Sequence, residues 1–146
     1  MVQREIEVKA PIETMFSVIR DFASYPEFLS TTHSAKERKT KSGIVVDFSI
    51  DVVKTIHYTL KFQMEEPTRL SWELVKGDLM KKNAGSWELT SLGPKKTKAL
   101  YSIDVDFGWL VPKMIIDQVT KTQLPDTLKA FKERAEGLAA NRSASG

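Results

Sequence analysis

Residues 55–64 read Thr-Ile-His-Tyr-Thr-Leu-Lys-Phe-Gln-Met, with polar and apolar side chains in unbroken alternation. Successive side chains of a β-strand point to opposite faces. Ile56, Tyr58, Leu60, Phe62 and Met64 therefore share one face, and Thr55, His57, Thr59, Lys61 and Gln63 the other. This pattern predicts an antiparallel strand buried on one side and solvated on the other. Upstream, Gly43 leads into Val46, Phe48, Ile50 and Val52, which alternate with Asp47, Ser49 and Asp51. Downstream, Pro67-Thr68-Arg69 turns the chain into Leu70, Trp72 and Leu74, and Lys76-Gly77-Asp78 turns it again. Trp87 and Leu89 mark the next strand. After the Gly93-Pro94 turn, Tyr101, Ile103, Val105 and Phe107 mark the last. The segment from Thr31 to about Lys39 is polar and reads as extended. Ile6 and Val8 form a short first strand.

Helical spacing flanks this block. Pro11 suits the first position of a helix that carries Ile12, Met15, Phe16, Ile19 and Phe22 on one stripe. A short helical turn follows over residues 24–28. From about Val111 to Leu138 the spacing predicts one long helix, with Val111, Met114, Ile115 and Val119 and then Leu124, Leu128, Phe131, Ala135 and Leu138 inward. Pro125 would crowd the carbonyl of Lys121 and kink it. The order is β-α-α-β6-α, an α+β domain in which a curved antiparallel sheet of about seven strands wraps a long C-terminal helix. Residues 1–138 read as one domain and 139–146 as a frayed, disordered tail. One apolar helix stripe cannot fill such a sheet, so an apolar cavity between the two is expected.

Composition narrows the chemistry. The chain has 146 residues, 41% hydrophobic and 28% charged, with a net charge of +3. It has no cysteine, which removes disulfides, thiolate metal sites and cysteine nucleophiles. No signal-peptide pattern and no apolar run of membrane-spanning length is present, so a cytoplasmic, at most peripheral-membrane location is expected. There is no Gly-rich phosphate loop, Gly-x-Ser-x-Gly elbow or His-Glu-x-x-His. Neither a cofactor nor a metal is expected. Asp104-Val105-Asp106-Phe107-Gly108 mimics fragments of calcium and kinase motifs but sits in a strand. His57 reads as a solvated neighbour of Asp47 and Asp51. His33, after the short helix, reads as a loop histidine, with a place on a cavity wall as the alternative. No catalytic residue is assigned.

Several segments resemble the START-like helix-grip superfamily (SRPBCC), within it the polyketide cyclase/dehydrase and coenzyme Q-binding branch. They are Ala10-Pro11-Ile12-Glu13, Asp21-Phe22-Ala23-Ser24-Tyr25-Pro26-Glu27-Phe28-Leu29, Gly85-Ser86-Trp87-Glu88-Leu89, and Leu128 to Ala135. The resemblance spans about Ile6 to Ala135. It implies an apolar cavity and relatives that bind quinones, lipids or polyketides, one group of which inhibits ribosome subunit association. Where better-studied coenzyme Q-binding members continue with Pro-Trp-Cys, this chain has Ser30-Thr31-Thr32-His33, which speaks against quinone specificity.

Phe48, Tyr58, Phe62, Trp72, Trp87, Tyr101, Phe107 and Phe131 all fall on the concave side. The cavity-lining residues expected to meet a ligand are Tyr58, Phe62, Trp72, Trp87, Tyr101, Ile103, Phe107 and Ile115. A hydroxyl or indole N–H of Tyr58, Trp72 or Tyr101 can satisfy a ligand's polar end. An entrance is expected at Leu79, Met80, Trp109 and Leu110, apolar loop residues ringed by Lys81, Lys82 and Lys113 and able to touch an anionic membrane. The competing reading folds them back as a plug. Basic segments at Lys36, Arg38, Lys39, Lys41 and at Lys95, Lys96, Lys98 read as solvated hairpin tips at one end, with RNA or lipid headgroups as the functional alternative. The leading function is binding or transport of a hydrophobic small molecule such as a lipid, prenylquinone or polyketide-like compound. The alternatives are a cyclase/dehydrase-type enzyme and, last, a ribosome-associated inhibitor with a nucleic-acid partner.

Overall fold

A computed structural model describes residues 2–51, 55–108, 111–117 and 123–145, the last four of these by backbone alone. The strands are β1 (Val2–Val8), β2 (Thr32–Thr40), β3 (Gly43–Asp51), β4 (Thr55–Glu65), β5 (Arg69–Gly77), β6 (Lys82–Gly93) and β7 (Lys96–Asp106). They form one antiparallel sheet in the order β1-β7-β6-β5-β4-β3-β2. The helices are α1 (Ile12–Arg20), α2 (Tyr25–Phe28), α3 (Lys113–Asp117) and α4 (Leu124–Ser145), with a single 3-10 turn over Phe22–Ser24. β1 and β2 are the two edges, so α1 and α2 carry the chain from one edge to the other.

The alternation of residues 55–64 is realised in the register: Phe62 lies opposite Trp72, Leu60 opposite Leu74, and Phe48 opposite Tyr58. Gly85, between Trp72 and Ile103 in the ladder, explains the glycine in Gly85-Ser86-Trp87. A Cβ there would stand 2.6 Å from the Trp72 ring and 2.3 Å from the Ser102 carbonyl oxygen, so the indole lies flat across bare backbone. α1 buries Met15, Phe16, Val18 and Ile19. The Tyr25 hydroxyl donates to the Ile19 carbonyl and fixes α2 against α1. α4 is held by Arg134, which pairs with Glu27 at 3.1 Å and lies over the Phe28 ring, and by Glu136, which accepts the Lys9 N–H at 2.9 Å.

The helix expected over 111–138 begins at Lys113, since Val111 and Pro112 are not helical, and residues 118–122 within it lie outside the described residues. Its described parts are α3 and α4, and Val119 is among the residues outside. Pro125 is the second residue of α4, and Lys121, whose carbonyl the expected kink involves, lies outside the described residues. α4 continues in backbone to Ser145. No helix among the described residues is long and apolar enough to cross a membrane.

Candidate ligand cavity

The concave face of the sheet, α2 and α4 enclose a cavity of about 190 Å³. Alternation brings the aromatic side chains to it as an arc. Tyr58 stacks on Phe48 at 5.3 Å, Phe62 and Trp72 follow with centroids 6.1 Å apart, and Trp72 reaches Tyr101 at 5.6 Å. Trp87 closes the arc edge-on against Tyr101 at 4.8 Å and Phe131 at 5.2 Å. Tyr58, Phe62, Trp72, Trp87, Tyr101, Ile103 and Phe107 all line the cavity. Ile115 does not reach its wall. It packs instead in a neighbouring cluster with Met80, Phe107 and Val111.

Of the expected entrance residues, Met80 is buried in that cluster and also lines the cavity, and Leu79 packs against the same cluster with a φ of 55°. Trp109 and Leu110 lie outside the described residues. The exposed apolar side chain on α3 is Met114, 76% accessible.

The polar groups of the wall are few and uncharged. The Trp72 Nε1–H donates to Asn83 Oδ1 at 2.9 Å, and the Asn83 amide points its nitrogen toward the Met80 sulfur at 3.7 Å. The Tyr25 hydroxyl is satisfied by Ile19, whereas those of Tyr58 and Tyr101 bond to no described residue. Burial pushes both of these phenols well above their ordinary pKa, and the mutual proximity of their charges adds to the rise at Tyr101. They are therefore neutral donors at any physiological pH. Thr31, Thr32, Gln123 and Thr127 supply further polar groups where the α2–β2 connection faces the start of α4. No Lys, Arg, His, Asp or Glu lines the cavity among the described residues.

Sequence reasoning missed Tyr25, Asn83 and this threonine group. Asn83 carried a signal, since it is an amide just upstream of Gly85 and Trp87. Tyr25 lies in a four-residue helix too short to show a period.

The other candidates are accounted for locally. Asp104 pairs with Lys82 at 2.6 Å, and Asp106 accepts the Gly108 N–H at 2.8 Å, which uses up the motif-like run around Phe107. Lys96 and Lys98 pair with Glu7 and Glu5 on β1 at 3.0 and 3.6 Å, and Arg38 with Asp47 at 2.6 Å. The basic hairpin segments are thus partly neutralised.

A family model described as polyketide cyclase / dehydrase and lipid transport matches residues 8–132. The chain belongs to this family. Among solved structures, a START superfamily protein from Mycobacterium smegmatis superposes with a TM-score of 0.81 at 22% identity, over 94% of this chain and 97% of that one. The Zhui aromatase/cyclase from Streptomyces sp. R1128 gives 0.78 at 17% identity, over 97% and 94%. The ribosome association toxin RatA of Escherichia coli K12 is 24% identical over 138 residues, 92% of this chain and 86% of its own length. The likeness to solved structures at such low identity carries the START fold alone, and the seven-stranded sheet around a C-terminal helix agrees with it.

Proposed function

We propose that this member of the polyketide cyclase/dehydrase and lipid transport family binds and carries a hydrophobic small molecule in the cavity between sheet and α4, without catalysing a reaction on it. The observation that carries this reading is the wall itself, an aromatic arc whose polar groups include two unpartnered phenols, the amides of Asn83 and Gln123, and three threonines. General acid–base chemistry near neutral pH needs a group that titrates there. The phenols, pushed up by burial, are neutral at pH 7 and suited to donate a hydrogen bond to a carbonyl or hydroxyl oxygen rather than to act as a base. The cavity volume sets a size. At about 190 Å³ it holds a ring or a short apolar segment. A prenylquinone, lipid or polyketide-like ligand would seat its ring or head inside and displace Met80 and Leu79, the plug at that end, for the remainder. Such a passage at a membrane surface would use Met114 and Lys113 on α3 as the contact.

Titration with a ubiquinone analogue and with a fatty acid, followed by Trp72 and Trp87 fluorescence, tests the reading, because both indoles face the cavity. Saturable quenching by at least one ligand is expected. No response to either, together with turnover of a polyketide-like substrate, would establish the cyclase instead.

A second reading is favoured by one observation, the 24% identity to a ribosome association toxin over 92% of this chain. Lys36, Lys39, Lys41 and Lys95 would be its cationic contacts. It ranks below the first because neighbouring carboxylates hold Lys96, Lys98 and Arg38. Co-sedimentation with ribosomal subunits at two salt concentrations separates the readings.

A further inference from the structure

The outer face of the sheet carries a second concavity, shaped by two β-bulges. On β2, Thr32 pairs with Ile50 and Ser34 with Ser49, so His33 is the extra residue. On β5, Leu74 pairs with Leu60 and Lys76 with Thr59, so Val75 is the extra residue. An inserted residue turns two consecutive side chains to one face and bends the strand. His33 and Ser34 therefore face outward together on one side of β3 and β4, and Val75 and Lys76 do so on the other. Between them lies a groove of about 650 Å³, walled by His33, Lys36, Ser49, His57, Thr59 and Lys76. Its floor is unusually dry for an outer face, with Ser49 only 5% exposed and Thr59 only 4%.

The groove has more donors than acceptors. Asp47 is its most enclosed carboxylate, and it is already occupied. Arg38 donates to it twice, at 2.6 and 3.0 Å, and Thr59 once, at 2.6 Å. These bonds hold its carboxyl down at about 2, so it stays ionised and neutralised by Arg38. His33 stands 3.8 Å from Asp51, and Asp78 lies at the rim. Lys36 and Lys76 form no ion pair within 4 Å of a described residue, though the Lys76 charge adds to the forces that keep Asp47 ionised, and the His57 ring has no hydrogen bond to a described residue. The Ser49 hydroxyl is buried without a partner. An unmade hydrogen bond at a buried hydroxyl is costly, and a ligand oxygen would relieve it.

We propose that this groove binds the phosphate group of a small phosphorylated molecule, with Lys36 and Lys76 closing on it from opposite sides and Ser49 donating from the floor. The donors come from four adjacent strands, β2 to β5. That spread suits the tetrahedral oxygens of a phosphate better than a planar carboxylate, which one cation can serve. The volume exceeds that of a bare phosphate and leaves space for an organic part. The site differs from the inner cavity in its polar lining, and the two adjoin at Phe48 and Tyr58 on β3 and β4, which border both.

The test is a titration of ¹⁵N-labelled protein with glycerol 3-phosphate, with inorganic phosphate, and with sodium chloride at matched ionic strength. Vesicles containing phosphatidic acid form a fourth arm. Saturable shifts confined to the amides around Lys36, Ser49, His57 and Lys76 are expected with glycerol 3-phosphate. Lys36→Gln and Lys76→Gln should each weaken its binding about tenfold or more. Ser49→Ala should weaken it about tenfold while leaving the melting temperature unchanged or raised, since the orphan hydroxyl is gone. Shifts that follow sodium chloride equally well, or unchanged affinity in both lysine variants, overturn the proposal. A response to the vesicles with none to glycerol 3-phosphate overturns it too and assigns the face to a bilayer. Binding of inorganic phosphate with exclusion of glycerol 3-phosphate overturns the assignment of an organic phosphate.

Discussion

Phe131→Ala should be the most damaging single truncation on α4. The side chain is 3% exposed and packs edge-on against Tyr25, Phe28 and Trp87, each at a centroid distance of 5.2 Å. Truncating a buried phenylalanine to alanine costs ~3–5 kcal/mol, and edge-to-face aromatic pairs contribute ~0.5–1.5 kcal/mol beyond the area they bury. Losing such contacts to α2 and to the sheet at once places the loss in the upper half of that range, about 4 kcal/mol. For a urea slope near ~2 kcal/mol/M this lowers the unfolding midpoint by about 2 M. Urea melts of both proteins at one pH, with slopes compared, measure it. The void joins an existing apolar cavity of about 190 Å³, so benzene should bind the variant and raise its melting temperature. A loss below ~1 kcal/mol would refute the reasoning, because α4 would then not be seated on the sheet through this ring.

Gly85→Ala should destabilise by at least ~1–3 kcal/mol, the usual cost of overpacking, because the Ser102 carbonyl at 2.3 Å is backbone and cannot swing away as a side chain could. Thermal melts and the Trp72 near-UV signal report it. Asn83→Leu strands the Trp72 indole N–H, now bonded at 2.9 Å, and should cost ~1–3 kcal/mol, with a shift of the indole proton resonance. Asp47→Asn removes a carboxylate held down at about 2, below its unfolded value, so its stabilisation is full above about pH 4 and is lost as pH falls through 2. The pair is half exposed, so the difference from the unmodified chain should be only ~0.2–1 kcal/mol at pH 7 and shrink toward zero in acid melts near pH 2.

The sheet was legible because its strands carry an apolar row against a polar one. Residues 55–64 keep strict alternation, and a one-residue slip there would expose every core side chain, so pattern and structure are tightly bound. The same logic put seven concave aromatics on the cavity side, and helical spacing did so for Phe131. It failed where contrast is missing. Residues 32–40 are polar on both faces, so no break in pattern reveals that His33 is an inserted residue, and His33 lies in a strand with its side chain outward instead of in a loop. Val75, the other inserted residue, hides among Leu74, Lys76 and Gly77, where a turn was already expected. Asn83 shows why the site resists sequence reading. Its role depends on facing Trp72 across the β5–β6 ladder, eleven residues away along the chain.

The pleat of β3 and β4 accounts for both faces of the molecule. Phe48 turns inward to the aromatic arc while the next residue, Ser49, turns outward to the groove floor, and Tyr58 and His57 divide the same way on the neighbouring strand. The inner wall gains from burial of apolar surface, which is non-directional and tolerates exchange among residues of similar volume. The outer floor depends on directional bonds, and there a single deletion leaves a buried partner unmet. Substitutions on the two faces of these strands should therefore behave differently. Conservative apolar changes at Phe48 or Leu60 would alter what fits in the cavity at modest cost in stability. Replacing Thr59 would remove one of the two bonds to Asp47 Oδ1, leave Arg38 as its remaining donor, and disturb the outer groove while the aromatic arc stays in place.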